Sequence, residues 1–144
     1  MKKTIFLTGA TGTMGKAGMN ELLRYPERYD VRVLARPSRK NKSLLEPILA
    51  QYPDNFSVVW GDLTRYEDVL KGVTGADVVL HVGGMVSPAA DYRPKATYRT
   101  NISAAINVRD AVLAQPADRQ PKVVYVGSVA QMGDRREPLH WGRT

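Results

Sequence analysis

The stretch TIFLTGATGTMGKAG, residues 4–18, sets three glycines, Gly9, Gly12 and Gly15, at intervals of three directly behind an apolar, β-forming run. Glycine is costly inside a strand or a helix, so crowding it at one junction needs a reason. A strand-to-helix turn exposes unpaired N–H groups and the positive end of the helix dipole, and it becomes an anion site if backbone can approach closely. Gly9 then lets the chain turn sharply. Gly12 carries no Cβ to hold a phosphate away, and Gly15 lets the helix pack tightly on the strand. Thr11, Thr13 and Met14 complete the loop and join the glycines as candidate binding residues. A turn with incidental glycines is the competing reading; the flanking strand and helix supply the context that favours the anion cradle.

Outward from this turn, short apolar runs recur at even spacing. Strands are expected at 4–9, 29–36, 56–62, 76–84 and 121–128. Helices are expected at 13–24, 43–52, 65–73 and 95–114, with Pro26 ending the first, Pro47 restricting the start of the second and Gly72 closing the third. The first helix is expected to bury Met14, Ala17, Gly18, Leu22 and Met19, and the last Ile102, Ala105, Ile106, Val108 and Val112. Strand and helix alternate, and the strands are near-continuous apolar runs. Both features predict an α/β, doubly wound Rossmann-type parallel sheet of order 3-2-1-4-5 with helices on both faces. The fifth strand is then an edge, which invites pairing with further chain or with a second copy as a homodimer.

The 144 residues suit one domain. There is no Cys and there are only two histidines, His81 and His140, which excludes disulfides, thiolate metal sites and multi-histidine metal sites. No apolar run approaches the ~18 residues of a membrane span. The opening MKKTIFLTG starts like a signal peptide but is interrupted at Thr8 and Gly9, so a strand and a cytoplasmic location are expected. The net charge of +7 is concentrated: Arg24, Arg28, Arg32, Arg36, Arg39, Lys40 and Lys42 fall in one segment. Without an aromatic-basic platform this does not read as nucleic-acid binding. A small anionic ligand or plain solvation explains it at lower cost, and no membrane partner is expected.

The spacing G-x-x-G-x-x-G in TGATGTMG resembles that of the extended short-chain dehydrogenase/reductase family, which includes the NAD-dependent epimerase/dehydratases. Four later stretches resemble that family in the right order. In GDLTRYEDV (61–69), Asp62 would face the adenine with Leu63 beside it. In HVGGMVSP (81–88), Val82, Gly83 and Gly84 would flank the cofactor, with Met85, Val86 and Ser87 towards the nicotinamide. NISAAINVRDA (101–111) is similar to the motif led by an Asn that supports the site, here Asn101. VVYVGSVAQMGD (123–134) is similar to the active-site serine loop, which implies that Ser128 hydrogen-bonds the reacting oxygen. Met132, before Gly133, departs from the Tyr found in many relatives.

The resemblance implies hydride transfer between a nicotinamide cofactor and a carbonyl or alcohol carbon of a small-molecule substrate, with a Tyr-x-x-x-Lys pair as acid/base. None of the seven tyrosines has Lys four positions on. The chain is therefore expected to be the N-terminal, cofactor-binding part of a longer enzyme and inactive alone. The second strand ends in ARPSRK, where Ala35 stands in place of the acid that would bond the ribose 2′-OH of NAD. Arg36 can fork onto a 2′-phosphate, and Ser38, Arg39 and Lys40 add donors. This resembles NADP-using members such as the dihydroflavonol and cinnamoyl reductases, so NADP is expected over NAD; a solvated basic loop is the alternative. A non-catalytic NAD(P)-sensing regulator with the same glycine motif is the competing function.

Overall fold

A computed structural model describes residues 1–128 of the chain. The elements run β1 (Lys3–Thr8), α1 (Thr13–Leu23), β2 (Tyr29–Ala35), α2 (Arg39–Gln51), β3 (Phe56–Trp60), α3 (Tyr66–Val73), β4 (Val78–His81), α4 (Ala89–Tyr92), α5 (Pro94–Leu113) and β5 (Lys122–Tyr125), with a 3-10 turn at Ala117–Arg119. The strands form one sheet of order β3-β2-β1-β4-β5. Every pairing is parallel. The order and class are those expected from the alternating runs.

Register aligns the strand ends. Thr8 lies opposite Leu34 on one side and His81 on the other, and His81 lies opposite Tyr125. The loops that follow β1, β2, β3 and β4 therefore leave the sheet along one edge, where α/β sheets place their ligands.

Alternation along the central strands divides the core. Phe6, Leu34 and Val79 face Val69 and Val73 of α3 and Val108, Ala111 and Val112 of α5. Leu7, Val31 and Val33 face Met19 and Leu23 of α1 and Leu45 of α2. Gly72 lets α3 ride directly on the Phe6 ring, which a Cβ at that position would strike.

Several expectations are corrected. The buried residues of α1 are Gly15, Met19 and Leu23, whereas Met14 and Ala17 are exposed. Gly15 sets this phase, because its close approach to the turn leaves one azimuth for the helix. In α5 the buried residues are Ala104, Val108, Ala111 and Val112. Ile102 and Ile106 stay 44% and 41% exposed, on the side of the helix that the sheet does not cover. The helix expected from residue 43 begins at Arg39, because Ser38 caps it by accepting a bond from the Asn41 amide. Pro47 sits inside that helix rather than near its start. Pro47 and Ser43 are both exposed, so water can serve the carbonyl that proline's missing N–H leaves unpaired. The short α4 lies outside the expected elements.

Candidate functional site

The glycine turn occupies the middle of the C-terminal edge. Gly9 has φ +76°, the left-handed conformation that glycine adopts without strain. A Cβ there would also lie 2.8 Å from the Gly83 Cα, so the loops after β1 and β4 touch backbone to backbone. The Gly12 amide closes the turn by donating to the Gly9 carbonyl at 2.9 Å. A Cβ on Gly15 would run into that same carbonyl. The sharp turn and close helix packing expected of Gly9 and Gly15 thus have direct geometric causes. Gly12 differs: a Cβ there would meet only the Gly9 carbonyl, at 3.4 Å, with space beyond.

Gly12 caps α1 without a side-chain bond, and no acidic residue lies in the first turn. The leading amides of the helix, on Thr13, Met14 and Gly15, lack intrahelical acceptors and carry the positive end of the dipole. An open cleft lined by Thr11, Gly12, Thr13, Lys16, Ala17 and Asn20 adjoins them. Lys16 adds a cation that sequence reasoning passed over; its place one residue after Gly15 was the available signal. Space beside a glycine, unserved amides and no nearby carboxylate together fit a bound phosphate.

The β2 exit forms one wall. Arg36 is exposed immediately after the strand, and Arg39 is exposed as the first residue of α2. Asn41 braces the corner by donating its side-chain amide to the Arg36 carbonyl at 2.9 Å. Ser38 is committed to the helix cap, so its oxygen already accepts one bond.

The β3 exit is tied to this wall, since the Gly61 amide donates to the Ala35 carbonyl at 3.0 Å. Asp62 accepts from the Thr64 amide and the Thr64 hydroxyl, both at 2.8 Å. Partial burial alone would push its carboxyl up. The two Thr64 bonds, then the Arg36 and Arg65 charges, outweigh burial and hold it below the usual carboxylate value. Arg36 and Asp62 are thus brought into electrostatic reach. Two further residues hold this loop and were missed in the sequence. Buried Asp68 accepts the Asp62 amide at 3.1 Å, and Asn107 of α5 donates to the Leu63 carbonyl at 2.8 Å. Leu63 in turn packs against Gly83.

After β4, the Gly83 amide donates to the Thr8 hydroxyl at 3.0 Å. Asn101 grips the next stretch at both ends of its amide, accepting from the Met85 N–H at 2.8 Å and donating to the Met85 carbonyl at 3.0 Å. Its carboxamide also lies beside Gly84. Asn101 therefore shapes the loop that was expected to flank the cofactor. Ser128 is exposed beyond β5, two residues after Val126, whose amide donates to the His81 carbonyl at 3.1 Å. Gly9, Leu63, Val82 and Gly83 meet at the centre, with Arg36 and Asp62 to one side and Gly84 and Asn101 to the other. Met132, Gly133 and His140 lie outside the described residues. Among the described residues no cluster of His, Asp or Glu could hold a metal ion, and no helix is long and apolar enough to cross a membrane.

Comparison with known proteins bears on this edge. The chain is 26% identical over 112 residues to UDP-glucose 4-epimerase of Rickettsia felis, a match covering 77% of this chain and 33% of the relative. It thus spans about a third of the length of such curated relatives. The solved structure of Pen from Bacillus thuringiensis superposes with a TM-score of 0.76 at 30% identity, over 90% of this chain and 38% of that one. Uronate dehydrogenase from Agrobacterium tumefaciens, in a mutant form complexed with NAD, superposes with a TM-score of 0.61 at 25% identity, over 89% of this chain and 42% of that one. The profile of the NAD dependent epimerase/dehydratase family matches residues 5–142, and the chain belongs to that family.

Proposed function

We propose that this chain is the NADP-binding part of an oxidoreductase or epimerase/dehydratase that moves hydride between a nicotinamide cofactor and a carbonyl or alcohol carbon. The observation that carries the reading is the first turn of α1, whose amides no side chain caps, above the Gly9–Gly12 turn and flanked at the end of β2 by Arg36 rather than by a carboxylate. The amides of Thr13, Met14 and Gly15 would hold the pyrophosphate, with Lys16 adding charge. Asp62, kept ionised by Thr64, Arg36 and Arg65, would accept from the adenine amine. Arg36 would fork onto a 2′-phosphate, with Arg39 alongside. The nicotinamide, when bound, supplies the hydride acceptor and donor. Ser128 would hydrogen-bond the substrate oxygen at which charge develops. The family relation to UDP-glucose 4-epimerase supports substrates of the alcohol and ketone class.

Calorimetric titration of the chain with NADP and with NAD tests this reading, with circular dichroism to confirm the fold. NADP is expected to bind more tightly. Arg36→Ala should weaken NADP by roughly 10- to 100-fold, the scale of a lost charge-assisted pair, and leave NAD nearly unchanged. Equal affinities untouched by Arg36→Ala would remove the NADP assignment. A folded chain that bound neither would overturn the dinucleotide reading as a whole.

A further inference from the structure

Beneath the glycine turn lies a buried polar relay that no part of the proposed chemistry uses. Thr8, the last residue of β1, is fully buried, and His81, the last residue of β4, is 3% exposed. The Thr8 Oγ1 lies 2.8 Å from the His81 Nδ1 and receives the Gly83 amide at 3.0 Å. A backbone amide only donates, so the Thr8 oxygen is the acceptor towards Gly83. The hydroxyl oxygen has a second lone pair, so the short contact alone gives the Thr8–His81 bond no direction; donation from the hydroxyl to Nδ1 is the arrangement in which the hydroxyl hydrogen also has an acceptor. That arrangement requires a neutral imidazole with its proton on Nε2. The relay joins the ends of the two strands just where Gly9 and Gly83 touch.

We propose that Thr8 and His81 are positioning residues of the dinucleotide site: the relay from Gly83 through Thr8 to a neutral His81 holds the loops after β1 and β4 in the register that shapes the cradle. The proposal rests on the dinucleotide reading above. Protonating Nδ1 would direct a second N–H at the Thr8 oxygen and leave the hydroxyl hydrogen without its acceptor. It would also place a charge where water is excluded. From β1 the imidazole is faced by Thr8, and from β5 by the Tyr125 ring, whose centroid is 5.5 Å away. Burial is the cause that lowers the His81 pKa from the ordinary 6.5. The neutral form therefore predominates at neutral pH, and the relay should weaken as pH falls below 6.5.

The test combines two measurements. In the first, ligand-free chain labelled with nitrogen-15 at histidine is examined by NMR at pH 7.5. The Nε2–H tautomer of His81 supports the relay, and the Nδ1–H tautomer or an imidazolium overturns it. In the second, dinucleotide affinity is titrated between pH 7.5 and 5 for the wild type, Thr8→Val, Thr8→Ser and His81→Asn. Thr8→Val keeps the shape but leaves the Gly83 amide unserved, so affinity at pH 7.5 should fall about tenfold. Thr8→Ser, which restores the hydroxyl, should bind like the wild type. His81→Asn keeps an acceptor near the Nδ1 position but cannot titrate, so it should bind at pH 7.5 and lose the acid-side fall. The 2′-phosphate of NADP itself titrates near pH ~6, so the difference between the wild type and His81→Asn is what is read. Wild-type affinity in Thr8→Val, or the same acid-side fall in His81→Asn, would overturn the relay while leaving the functional reading intact. A folded wild type that bound no dinucleotide would overturn both.

Discussion

Strands β1 and β5 read almost alike, as KTIFLT and KVVY, yet the fold treats them in opposite ways. In β1 every residue from Ile5 to Thr8 is buried. In β5 all four residues are exposed, with Val124 at 46%. Hydrophobicity does not separate them; neighbours do. β1 pairs with β2 on one side and β4 on the other, and helices cover both its faces. β5 pairs with β4, and none of its residues joins either core cluster. An apolar run contributes stability only where other elements take its surface from water. The same contrast explains why the candidate site sits at the end of β1: the glycine turn is held by a strand that cannot shift.

That comparison can be broken at its strongest point first. Phe6→Ala removes the ring on which Gly72 and α3 rest, in the centre of β1. It should cost about 3–5 kcal/mol, read as a lower urea midpoint; a loss below about 1 kcal/mol would mean that β1 is no better packed than the edge. A smaller effect is expected where the core meets the site. Asp68→Ala leaves the Asp62 amide without its acceptor beneath α3, for about 1–3 kcal/mol. Its ion pairs to exposed Arg65 and Lys71 add little. Urea unfolding should show the loss, and an unchanged midpoint would show the β3 exit to be held without Asp68. The smallest effect belongs to β5, where Val124→Thr should move stability by no more than about 0.5 kcal/mol. A loss of several kcal/mol there would erase the contrast between the two strands.

The element order was legible because alternation of apolar runs and turn residues carries most of the information about a doubly wound sheet. The positions of Gly9, Gly12, Gly15, Arg36 and Asp62 at the exits of the first three strands were legible too, since each exit is marked by its own residue type. Helix faces were misread where the apolar residues outnumber the buried positions. On α5 the small Ala104 and Ala111 are buried while Ile102 and Ile106 remain out, because close approach to α3 favours small side chains. Thr8, Asp68 and Asn107 went unnoticed because each acts through a hydrogen bond to backbone far away in sequence or across a turn. Thr8 and Gly83 are separated by 75 positions, and Asn107 and Leu63 by 44.

By itself the amino-acid sequence determined the strand and helix order, the glycine turn at the first strand exit and the basic second exit. These depend on local rules: side-chain period, backbone freedom and charge. Tertiary structure alone decided which apolar residues are buried and which amide the Gly9–Gly12 turn consumes. It also decided that Thr8 and His81 would share a hydrogen bond beneath that turn. Those outcomes depend on parallel register, which brings residues from distant strands to one edge, and no local pattern encodes that distance.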